Sequence, residues 1–244
     1  MSAISVKNVC MHYNMPKERL SSMKEYFIKL AKGQLHYEKF IALQDINLEI
    51  NPGDVFGIVG LNGSGKSTLL KLIAGILTPT HGTIAVNGTV APLIELGAGF
   101  DMELTARENI YLNGSVLGYS KKMIDHHFDD IVAFSEMEAF IDVPMKNYST
   151  GMVARVGFAV ATLIKPDILI VDEILAVGDF KFQEKCEARI KYMMSGGTTV
   201  VIVSHSIEQI GRLCNRVMWL EGGSVRMVGE VLDVCDKYIK YDVS

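Results

Sequence analysis

The stretch Gly60-Leu61-Asn62-Gly63-Ser64-Gly65-Lys66-Ser67-Thr68 holds the residue types that bind a polyphosphate, at the spacing that binding needs. Gly60, Gly65, Lys66 and Ser67 occupy the fixed places of the G-x-x-x-x-G-K-[ST] loop. Glycines let backbone N–H groups curl round phosphate oxygens, and Asn62, Gly63, Ser64 and Thr68 complete the cradle. The Lys66 ammonium would reach the β- and γ-phosphates, and the Ser67 hydroxyl would hold Mg²⁺. Residues 54–59 read as a short buried strand. Leu69, Leu70, Leu72 and Ile73 share one helical face, so a helix would aim its positive end at the same anion.

Hydrolysis of a bound nucleotide also needs support for a metal and a group that activates water. The run Ile168-Leu169-Ile170-Val171-Asp172-Glu173 puts two carboxylates at the end of an apolar strand. They are costly to bury unless they meet a cation or a donor. Asp172 is therefore assigned to Mg²⁺, and Glu173 to the attacking water as general base. The next strand ends at Ser204-His205, and ligands gather at the carboxyl ends of parallel strands, so His205 is a candidate for the γ-phosphate.

The elements that must position these groups read as α/β. Residues 4–10 and 42–50 are strands, and Asn51-Pro52-Gly53 turns the second into the strand before the loop. The Asn87-Gly88 pair, set between residues 83–86 and 89–94, predicts a β-hairpin. Residues 97 to about 165 read as helical, with a capping box at Thr105 and Glu108 and a further cap at Ser120. Strand–helix alternation returns at 167–203, followed by a closing hairpin and a last helix at 230–241. A basic amphipathic segment, 17–32, carries five basic and two acidic side chains. It fits either a membrane surface or packing on its own domain.

The 244 residues suffice for one core with a subdomain. A net charge of −4 argues against a protein built chiefly to coat nucleic acid. Four scattered cysteines form no C-x-x-C pair and fit a reduced cytosolic chain. The most apolar long stretch, 156–177, is interrupted by charges and is not a bilayer span. The N-terminus has no basic-then-apolar export signal. Adjacent His126 and His127 do not share a helical face and are read as solvated surface.

The order of phosphate loop, Tyr148-Ser149-Thr150-Gly151-Met152, Ile168 to Glu173, Val177-Gly178-Asp179 and Ser204-His205 resembles an ABC-transporter ATPase subunit along nearly the whole chain. Within that family it looks most like the subunits that power export of O-antigen, capsule and teichoic acid. The segments at 95–100, 104–113, 148–152, 175–179 and 182–186 carry that closer likeness. The resemblance implies a P-loop NTPase core with an antiparallel β subdomain, an inserted helical subdomain at about 97–165 and a basic insertion at about 15–39, all in one domain spanning 1–244.

It also implies ATP and Mg²⁺ as ligands and a homodimer docked on integral-membrane permease subunits at the inner face of the cell membrane, with no direct nucleic-acid partner. Each ATP would lie between one copy's loop and the other's Ser149 and Gly151. Asp179 would link the two sites, His205 would sense the γ-phosphate, Tyr13 would stack on adenine, and Glu95 would stand where the family places a glutamine near Mg²⁺. The signature departs from Leu-Ser-Gly-Gly-Gln at Tyr148, Thr150 and Met152. Some exporters append a carbohydrate-binding domain. The chain is expected to lack one, so glycan recognition falls to its partner. The rival readings are an ATPase of a lipid or drug transporter, and a soluble ABC protein acting on ribosomes or nucleic acid.

Overall fold

The computed structural model describes residues 1–16, 37–94, 97, 99–172, 179–204 and 206–242. The expected basic helix at 17–32 lies outside the described residues, as do Glu95, Glu173 and His205. The first half runs β1 (Ile4–Pro16), β2 (Tyr37–Ile50), β3 (Val55–Val59), α1 (Lys66–Ile73), β4 (His81–Val86), β5 (Val90–Leu93), α2 (Ala106–Val116) and α3 (Lys121–Ser135). The second runs α4 (Thr150–Ala161), β6 (Ile168–Asp172), α5 (Phe180–Ser195), β7 (Thr199–Val203), α6 (Ile207–Leu213), β8 (Arg216–Glu221), β9 (Ser224–Glu230) and α7 (Val231–Asp242).

The strands form two sheets. One is antiparallel in the order β2-β1-β4; the other has the order β5-β6-β7-β3-β8-β9 and is parallel except for its last strand. The parallel strands alternate between two cores because successive side chains leave a strand on opposite faces. Phe56, Ile58, Ile168, Ile170, Val201 and Val203 face the antiparallel sheet and α1. Leu169, Val171, Val200, Ile202, Val217 and Trp219 face α5, α6 and α7. Cys186 fills space in this second core, where burial pushes its thiol up to about 12.

A third core belongs to the helical segment and gathers Ala106, Ile110, Ile124, Ile131, Met145 and Val156. Its helices begin where side-chain caps take up free N–H groups. Thr105 and Glu108 make the full reciprocal box at α2, Ser120 caps α3, and Ser149 caps α4. Phe158 on α4 joins this segment to the second core, stacked on Phe134 at 5.7 Å and edge-on to Phe182 at 6.4 Å.

The expected hairpin at Asn87-Gly88 does not form. β4 pairs with β1 in the antiparallel sheet, and β5 pairs with β6 in the other. The Asn87 N–H donates to the Ala3 carbonyl at 2.9 Å, and the Thr89 N–H donates to the Asp167 carboxylate at 2.8 Å. The turn-forming pair therefore carries the chain between sheets, and tertiary pairing overrides the local preference.

Phe158→Ala should lower unfolding stability by about 3–5 kcal/mol, since the site is fully buried and rigid neighbours limit collapse. Urea denaturation reads this directly.

Candidate functional site

The phosphate loop joins β3 to α1 and is held from both sides by backbone. Gly60 has φ 153°, and a Cβ there would stand 2.2 Å from the Leu220 carbonyl oxygen of β8. Gly65 has φ 104°, and a Cβ there would stand 2.7 Å from the Ala42 carbonyl oxygen of β2. Only glycine meets both demands, of conformation and of approach.

The result is a cationic cradle. Lys66 is 6% exposed, and its ammonium donates to the carbonyls of Gly60 at 2.7 Å and Leu61 at 3.1 Å. Gly65 is the N-cap of α1, with no side-chain cap and no acid in the first turn, so the positive end of the helix dipole faces the loop without a neutralising carboxylate of its own. The Ser64 hydroxyl is buried and finds no hydrogen-bond partner among the described residues. A buried ammonium, an acid-free helix N-terminus and an orphaned hydroxyl together fit a polyphosphate. They border a cleft of about 230 Å³ lined by Phe40, Ala42, Asn62, Gly63, Gly65, Lys66, Ser67 and Thr68.

Asp172 ends β6 half-buried and lies opposite Val203 of β7. β7 separates β6 from β3, so Asp172 and the phosphate loop flank the end of that strand at a spacing of about 10 Å. Hydroxyl and carboxylate oxygens, from Ser67 and Asp172, fit a hard cation such as Mg²⁺. β7 runs into Ser204, whose hydroxyl donates to the Gln209 side-chain oxygen at 2.7 Å.

A second group of expected site residues stands apart from this cleft. Ser149 is exposed and caps α4, accepting from the Met152 N–H at 3.2 Å, with Gly151 in the first turn. That turn also lacks an acid. Tyr148 braces the segment that leads into α4. Its hydroxyl donates to the Phe140 carbonyl at 2.6 Å, and burial pushes its pKa up. Asp179 caps α5 by accepting from the Phe182 N–H at 3.0 Å. This hydrogen bond first, then the Arg155 charge, holds its carboxyl below the usual range.

Two residues escaped the sequence reading. Phe40, 48% exposed, forms one wall of the cleft; Tyr13, directly across the ribbon, packs instead on the first core. The alternation of Phe40 with Ala42 in β2 is the signal that marks it. Arg155 is the one charged residue of α4, a signal equally present in the sequence.

The ABC transporter family matches residues 43–176. The chain is 40% identical over 237 residues to an O-antigen export system ATP-binding protein of Klebsiella pneumoniae, covering 96% of both. It is 40% identical over 238 residues to a teichoic acids export ATP-binding protein of Lactiplantibacillus plantarum, covering 98% of this chain and 64% of that one. Among solved structures, the ATP-binding subunit of an ABC transporter superposes with a TM-score of 0.75 at 21% identity, covering 97% of this chain and 93% of that one. A dimeric ATP-binding cassette bound to ADP and Pi superposes with a TM-score of 0.73 at 24% identity, covering 93% and 98%.

Lys66→Ala should weaken ATP binding about 10- to 100-fold, the range for loss of a hydrogen bond to a charged group. Equilibrium titration with a fluorescent ATP analogue measures it.

Proposed function

We infer the function from one premise: the chain belongs to the ABC transporter family. It is the ATP-hydrolysing subunit of an exporter of lipid-linked polysaccharide, O-antigen or teichoic acid in type. The observation that carries the reading is the buried Lys66 ammonium facing a cleft at the carboxyl edge of the sheet, with Asp172 on that edge beyond the one intervening strand β7. The names of the relatives support the substrate class.

The loop amides, Lys66 and the Ser64 hydroxyl would bind the phosphates. Ser67 and Asp172 would hold Mg²⁺, which neutralises charge that builds on the phosphates. Phe40 would offer its ring to the base, with Tyr13 behind it across the ribbon. Glu173 would take the proton of the attacking water, while His205 and Glu95 are assigned to the γ-phosphate and the metal side.

The exposed Ser149 and the half-buried Gly151 would meet the γ-phosphate held by a second copy. The acid-free N-terminus of α4 favours an anion there. Phe180, 74% exposed beside Asp179, would be covered by that pairing. No helix among the described residues is long and apolar enough to cross a membrane. The subunit would act at the inner face of the membrane on a permease that recognises the glycan.

Phe40→Ala should raise the Kd for ATP about tenfold, within the ~1–3 kcal/mol of one base stack. An unchanged Kd in a fluorescence titration would remove Phe40 from the site. Glu173→Gln should retain ATP, pair stably and hydrolyse ~10²–10⁴-fold more slowly. Isolating that variant with ATP from solubilised membranes should bring a multi-span protein with it. Recovery of ribosomes or nucleic acid alone would overturn the transport reading.

A further inference from the structure

Arg155 lies six residues beyond Ser149, on the helix that Ser149 caps, and its side chain is only 14% exposed. One guanidinium nitrogen contacts the Glu136 carboxylate at 2.6 Å, and the other contacts the Asp179 carboxylate at 2.6 Å. The guanidinium plane also covers the Phe182 ring at 4.5 Å. Glu136 is the left-handed residue that ends α3, and its second oxygen takes Lys185 of α5 at 3.2 Å. Three helices therefore meet on one planar cation, and only arginine has the fork to hold two carboxylates at once.

The two contacts play different parts. Glu136 already has Lys185, which also donates to the Phe134 carbonyl at 2.8 Å, so α3 and α5 stay joined without Arg155. The Asp179 contact ties the N-terminal half of α4 to the start of α5, seven residues beyond Asp172 in the chain. At the other end of α4, Arg189 donates to the Thr162 carbonyl at 3.1 Å. With α4 pinned at both ends, the angle at which Ser149 and Gly151 are presented depends on Arg155.

We propose that Arg155 is a positioning residue that sets Ser149 and Gly151 against Asp179, so that two copies close correctly on ATP. This rests on the pairing described under the proposed function. It acts through those groups and stands outside the Lys66 cleft, so it should affect turnover and leave nucleotide capture alone.

The test compares the full-length chain with Arg155→Ala, Arg155→Lys, Asp179→Ala, Arg155→Ala/Asp179→Ala and Glu136→Gln. Each is assayed for ATPase rate against ATP concentration, fluorescent ATP binding and melting temperature. Pairing on ATP is measured in the Glu173→Gln background. Both Arg155 variants should lose about tenfold or more in kcat, as misplaced groups do, with KM and Kd for ATP within about twofold. The double variant should be no slower than the slower single, because both break one contact. Glu136→Gln should lower the melting temperature while keeping kcat. Multiplied losses in the double variant, an equal kcat loss in Glu136→Gln, or wild-type kcat in Arg155→Ala would each overturn the proposal. Absence of ATP hydrolysis and ATP-driven pairing in the unaltered chain would instead overturn the functional reading on which it stands.

Discussion

The phosphate loop keeps its shape because backbone from both sheets closes on it. The Ser64 carbonyl accepts from the Gly223 N–H at 3.0 Å, and the Gly223 carbonyl accepts from the Gln44 N–H at 2.8 Å. The turn between β8 and β9 thus relays the loop to β2. Leu220 and Ala42 crowd Gly60 and Gly65 from the same two directions. Burying the Lys66 ammonium would be expensive if it stood alone. Two carbonyls of its own loop offset that cost and hold the charge at the cleft.

That enclosure explains why the antiparallel sheet matters to a site built on the parallel one. β2 supplies a steric wall at Gly65, a hydrogen bond through Gln44, and the ring of Phe40 at the cleft. The helical segment is attached differently. It has its own core and meets the parallel-sheet core through Phe158, Phe134 and the cations of α5. Charged contacts anchored on aromatic rings locate it without merging the two cores.

The fold was legible where pattern and physics coincide locally. Thr105 with Glu108 marked a helix start because a capping box satisfies two N–H groups within four residues. The apolar runs at 167–171 and 198–203 read as buried strands, and both faces of the strands they form are covered. Asn87-Gly88 misled because turn chemistry says where a chain bends but not which strand receives it. The Asp167 carboxylate and the Ala3 carbonyl, both distant in sequence, decided that. The family resemblance pointed to Tyr13 for the adenine, and the structure places Tyr13 within β1, opposite Phe40. Which of two facing aromatics enters the cleft depends on how the ribbon sits over the loop, and the structure puts Phe40 there.

The sequence by itself determined the chemistry: a glycine loop with Lys66 and Ser67, a carboxylate at a strand end, and a serine opening a helix. These depend on short-range spacing, which one chain segment carries within itself. Tertiary structure alone decided the strand order, with β7 between the loop strand and the Asp172 strand. It also decided the wall made by Phe40 and the convergence of Glu136, Arg155 and Asp179 on one cation. Each of those joins residues far apart in the chain through packing and backbone pairing, and no local period or spacing encodes such a meeting.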